Sequence, residues 1–79
     1  MPYITRQQRE DLKYRHAATS GELNYQISML VSAFIEDNGK QYSTFNDVIG
    51  ALEGAKLEVY RRKVAEYEDE KINENGDID

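Results

Sequence analysis

The alternation of apolar and polar positions has a helical period over most of the chain from Leu23 onward. The clearest stretch carries Leu23, Ile27, Leu30, Val31, Phe34 and Ile35. At about 100° per residue these positions fall on one face about 140° wide, which predicts an amphipathic helix. Thr19 with Glu22 has capping-box spacing at its start, and Ser20 is an equally good cap. Asn38-Gly39 ends it, with Gly39 as a left-handed stop.

Upstream, Thr5 and Gln8 have the spacing of a second capping box, predicting a short helix from Arg6 to about Ala18. Leu12 and Tyr14 are its main large apolar residues, too few for a firm core contact. Downstream, Lys40-Gln41-Tyr42 is a short connection, and Ser43, Thr44 or Asn46 can cap a third helix. No proline or other stop interrupts the run from Phe45 to Glu74, before Asn75-Gly76. A connection this short predicts an antiparallel hairpin between the second and third helices. The expected fold is all-α: a short N-terminal segment and helix over residues 1–20, a hairpin with a long second arm over 21–76, and a tail over 77–79, all in one domain.

The apolar stripe of the long helix drifts. Phe45, Val48, Ile49, Leu52, Ala55 and Val59 share one face, whereas Leu57, Tyr60, Val64 and Tyr67 lie roughly a quarter turn away. A single partner helix does not cover both. The first stripe is expected to pack within the subunit and the second against another chain; the competing arrangement folds the first helix back over the second stripe. Gly50 and Gly54, with Ala51 and Ala55, add a small-residue pattern suited to close helix approach in the hairpin or across a dimer. Tyr25 and Met29, opposite the apolar face of the second helix, form a further candidate contact patch. Asn24 has the position to hydrogen-bond across helices to Asn46 or Asp47.

Length and composition sharpen this picture. A chain of 79 residues is close to the lower limit for a self-sufficient core. It has no cysteine, which removes disulfides and thiolate metal sites and leaves self-association as the available support. Fifteen acids against ten bases give a net charge of −5, arguing against sequence-independent nucleic-acid binding. No apolar run approaches the ~20 residues of a membrane span, and Met-Pro-Tyr-Ile-Thr-Arg has no signal-peptide character. The expected address is the cytoplasm.

Candidate chemistry is sparse. His16 is the one histidine and reads as a solvated helix residue, so neither a nucleophile–histidine pair nor a zinc site takes shape. The sequence implies no catalytic residue, resident metal or cofactor. Lys56 falls inside the apolar face, near Glu53 and Tyr60; it either snorkels outward or binds an anion. Lys56, Tyr60, Lys63 and Tyr67 recur at helical spacing and, with Arg61 and Arg62, form a cation–aromatic band in an acidic protein. Such a band can pair with phosphate and stack on a base, while Glu58–Arg62 and Arg62–Glu66 pairing offers an ordinary explanation. The acids from Glu68 to Asp79 read as a solvated tail rather than a hard-cation site. Ile78 is placed to pack on the last turn or against Tyr3 and Ile4.

Met-Pro-Tyr-Ile at 1–4, Gly-Glu-Leu-Asn-Tyr at 21–25, Asn-Asp-Val-Ile-Gly-Ala-Leu-Glu at 46–53, Ala-Lys-Leu-Glu at 55–58, Tyr-Arg-Arg at 60–62, Tyr-Glu-Asp-Glu-Lys-Ile at 67–72 and Asn-Gly-Asp at 75–77 give the chain a likeness. It resembles a family of small uncharacterised proteins found in bacteria and tailed bacteriophages. The resemblance implies no activity, cofactor or catalytic residue. Relatives often carry a proline before the Tyr-Glu pair, where this chain has Glu66, so the resemblance implies a long helix that either runs straight here where relatives kink or keeps a kink through packing. The expected function is a non-enzymatic binding or regulatory module that self-associates through the long helix. The alternative is a phage-encoded protein that sequesters a small anionic ligand such as a nucleotide signal, using Lys56, Tyr60, Arg61, Arg62 and Lys63.

Overall fold

The computed structural model describes residues 4–77. The expected contacts of Ile78 with Tyr3 lie outside them. The chain is all-helical: α1 (Arg6–Asp11), α2 (Ser20–Asn38), α3 (Tyr42–Val59), a π-helical turn (Tyr60–Val64) and α4 (Ala65–Asn75). The last three run on without a break as one helix of 34 residues. Two compact units partition the chain, Met1–Thr44 and Phe45–Asp79.

In the first unit, α1 starts as its sequence dictates. The Thr5 N–H donates to Gln8 Oε1 at 2.7 Å and the Gln8 N–H donates to Thr5 Oγ1 at 3.1 Å, a complete capping box. The helix stops at Asp11 instead of continuing to about Ala18. Its backbone tightens through Lys13 N–H to Glu10 O (3.2 Å) and Tyr14 N–H to Asp11 O (3.0 Å). Residues 15–18 then leave the helix, because Arg15 and the Ala18 amide are both drawn to Glu22. Tyr14 is 88% exposed, in keeping with the scant apolar surface of this segment.

Thr19 caps α2, its hydroxyl accepting from the Glu22 N–H at 3.1 Å. The far end closes at Gly39, whose N–H donates to Ile35 O at 2.8 Å. Gly39 has φ +94° and ψ 153°, a positive-φ region open almost only to glycine. It is therefore a glycine stop, but an extended one rather than the left-handed helical conformation expected. Asn38 O accepts from both Gln41 Nε2 (3.3 Å) and Thr44 Oγ1 (3.4 Å). Thr44 thus serves the last carbonyls of α2 instead of capping α3.

In the second unit the long helix changes period once. Across Tyr60–Val64 the backbone widens into a π-turn, with the Ala65 N–H donating to Tyr60 O. Such a turn takes up about one extra residue, about 100° of rotation. Gly76, at φ +83° and ψ 159°, ends the helix as Gly39 ends α2.

Apolar burial is slight. Ile4 and Val48 are the buried hydrophobic side chains among the described residues, and the most buried side chains, Glu22 and Thr44, are polar. Of the first stripe Val48 is buried, whereas Phe45, Ile49, Leu52, Ala55 and Val59 remain exposed, Ile49 by 66%. On α2, Leu23, Ile27, Leu30 and Phe34 are likewise exposed, while Val31 and Ile35 are half-buried.

Candidate functional site

Two constellations stand out, one in each unit. The first is a knot around Glu22. Arg15 grips its carboxylate with both terminal nitrogens, Nη1 to Oε1 and Nη2 to Oε2, each at 2.9 Å. The Ala18 N–H donates to Oε1 at 2.8 Å and Gln8 Nε2 to Oε2 at 3.1 Å. Charge-assisted, bidentate bonds of this kind strongly favour the ionised acid. The Arg15 bonds, followed by that from Ala18, hold the Glu22 carboxyl down to about 2 from its usual 4.5. The same pairing raises the Arg15 pKa. Both carboxylate oxygens are fully engaged and the side chain is buried, so the knot is a structural clasp and leaves no room for a ligand.

From its spacing alone, Glu22 reads only as a capping residue. In the structure the Glu22 N–H donates to the Thr19 hydroxyl oxygen, but the Glu22 side chain does not reach back to the Thr19 amide. It turns instead to the segment before Thr19. The sequence signal for this is Arg15, a cation seven residues upstream of Glu22, a separation other than the three or four residues of helical side-chain pairs.

The second constellation is the Tyr60–Tyr67 region of the long helix. The π-turn settles the drift of the apolar stripe. From its last residue onward, Val64 and Tyr67 return by about 100° to the face of Phe45, Val48, Ile49, Leu52 and Val59, while Leu57 and Tyr60 stay to one side. The quarter-turn offset therefore divides differently from the reading based on uniform helical period. A direct sign of the realignment is the bond from Tyr60 Oη to Glu68 Oε1 at 2.7 Å. Residues eight apart on a regular helix stand about 80° apart; here they meet. The bond to Glu68, and its negative charge, raise the Tyr60 pKa. One turn on, Lys71 Nζ lies 5.4 Å from the centre of the Tyr67 ring, a cation–π contact.

The cations of this region are distributed along the helix, not gathered into a pocket. Lys56 pairs with Glu53 at 3.4 Å and its side chain is well exposed, as snorkelling implies. Arg61 bonds Glu58 at 3.1 Å, and Arg62 bonds the same carboxylate; Arg62–Glu66 pairing is not among the ion pairs of the described residues. Lys63 has no ion-pair partner among them. Exposed pairs like these are worth about 0–1 kcal/mol each, so they steer side chains without fixing a binding geometry. The apolar residues between them are open to solvent: Leu57 is 57% and Tyr67 58% exposed, with Tyr60 and Val64 also uncovered.

The other candidate positions are accessible too. A side chain added at Gly50 or Gly54 would meet nothing within 4 Å, so neither glycine serves a close approach among the described residues. Met29 is exposed and Tyr25 half-buried on α2. Asn24 accepts a bond from Ser28 within its own helix at 3.4 Å. A shallow open depression lies over Ser32, Ile35, Glu36 and Lys40. No group of three or more potential metal-ligating side chains occurs among the described residues, and no helix there is long and apolar enough to cross a membrane.

No curated protein and no solved structure matches the chain. A family model does, over residues 1–78. That near-complete match places it: the chain belongs to the family described as a domain of unknown function, DUF6899.

Proposed function

We propose that this protein is a non-enzymatic, cytoplasmic interaction module that acts as an assembly of identical subunits, with the long helix as the principal contact. The observation that carries the reading is the uncovered apolar face of that helix. Its 34 residues span about 51 Å, against about 28 Å for the 19 residues of α2. Even complete apposition of α2 along it would leave about 22 Å, several turns, without cover. That length is enough to hold Val64, Tyr67 and Ile72, all exposed. Tyrosine is well suited to such a surface, having an apolar body and a polar tip.

The charged groups of the long helix support an interaction role over chemistry. They engage neighbours along the helix and do not converge on a common point where a reacting atom could sit. The test is sedimentation equilibrium across a range of concentrations. The expected result is a mass of at least twice the 9.2 kDa of one chain, falling towards one chain for Val64→Asp with Tyr67→Asp. A 9.2 kDa species at the highest concentration, whose melting temperature rises with a nucleotide, would instead favour a ligand-binding role for Lys56, Tyr60, Arg61, Arg62 and Lys63.

A further inference from the structure

The long helix carries its charges in two blocks that meet at the π-turn. Between residues 56 and 63 there are four cations against one acid; between 66 and 74 there are five acids against one lysine. All of these side chains lie on exposed residues. Between the blocks sits Val64, on the face that the π-turn restores to the apolar stripe. We propose that two copies of this chain pair through this stretch in antiparallel fashion, centred on Val64, so that the basic block of each lies along the acidic block of the other. This rests on the self-association reading above and specifies its geometry.

Charge complementarity sets the direction of the pairing. In a parallel pairing each block would face its own copy, and like charges held side by side repel. Reversing one chain about Val64 turns both repulsions into attractions without moving the apolar contact. The intrachain pairs of Lys56, Arg61 and Arg62 do not oppose this, because they are exposed and exchange readily for interchain partners. Lys63 has no carboxylate of its own among the described residues to give up. A two-fold axis through Val64 also makes the contact isologous, so the surface closes as a pair instead of growing into a filament.

The absence of native cysteine permits a direct test. Full-length Lys56→Cys and Ile72→Cys chains are mixed in equal amounts and treated with a short bis-maleimide. Leu57→Cys with Lys71→Cys serves as a second, independent pair. The antiparallel arrangement places 56 opposite 72 and 57 opposite 71, so products joining the two different variants should dominate, told apart from self-joined ones by intact mass. Self-joined products in excess for both pairs would overturn the antiparallel geometry while leaving self-association standing. A mass of one chain before cross-linking, with no joined product, would overturn both.

Discussion

Removal of Lys63 tests the reading of the π-turn most sharply. If the turn is the place where the helix absorbs one residue beyond its regular period, a chain lacking Lys63 should close it into an ordinary α-helix. Tyr60 and Glu68 would then be seven residues apart, within about 20° of the same face, and their hydrogen bond and the aligned stripe would both survive. The stability change should not exceed about that of one backbone hydrogen bond, ~1 kcal/mol, or roughly 4–8 °C in melting temperature for a domain of this size. Deleting Ala51, in the regular part of α3, supplies the contrast. It turns everything before it by about 100° against everything after it, separating Phe45, Val48 and Ile49 from Leu52 and Val59. In the proposed assembly that exposes several side chains worth about 1.5–3 kcal/mol each when buried. Circular dichroism melts and light scattering on the two deletion variants should therefore show an intact assembly without Lys63 and a disrupted one without Ala51. If the Lys63 deletion melts or dissociates as readily as the Ala51 deletion, the turn is not absorbing a residue and the realigned stripe is wrong.

Acid should loosen the clasp at the start of α2. The Glu22 carboxyl is held at about 2, below its usual 4.5, so between these values the unfolded chain binds the extra proton; the contribution is fully present above about pH 4.5 and lost as the pH falls towards 2. Melting temperatures measured across that window should fall for the native chain and change less for Glu22→Gln. Gly39→Ala forces a side chain into the extended positive-φ conformation and should cost about 1–3 kcal/mol, read from urea melts. Gly50→Ala and Gly54→Ala meet open space and should each stabilise the helix by up to about 1 kcal/mol; destabilisation that grows with concentration would mean that the bare backbone there is used in the assembly.

The elements themselves were legible because their signals are local. Thr5 with Gln8, Thr19 ahead of Glu22, and the glycines at 39 and 76 marked ends through bonds spanning three or four residues, where sequence spacing translates directly into geometry. The long helix followed from an unbroken period. The clasp was not legible, because Gln8, Arg15 and Ala18 reach Glu22 around a bend, and no periodicity links positions 8, 15, 18 and 22. The same bend cut α1 short at Asp11. At the candidate surface, the offset between stripes was visible but its cause was not: a period of 100° per residue converts an inserted residue into an apparent second face. Which cations pair was partly legible. Glu58–Arg62 and Lys56 with Glu53 follow helical spacing, whereas Tyr60–Glu68 depends on the widened turn and has no counterpart in regular geometry.

The clasp has one more property, which concerns time rather than space. Every group that holds the Glu22 carboxylate, namely Gln8, Arg15 and Ala18, precedes it in the chain. During vectorial synthesis the whole set is present once Glu22 has emerged, ahead of the whole of the long helix. Contacts this close in sequence form fast, and N-terminal parts fold first on the ribosome. The clasp can thus be tied off while the long helix is still being translated, so that in the proposed assembly the apolar face of that helix is the last to find a mate.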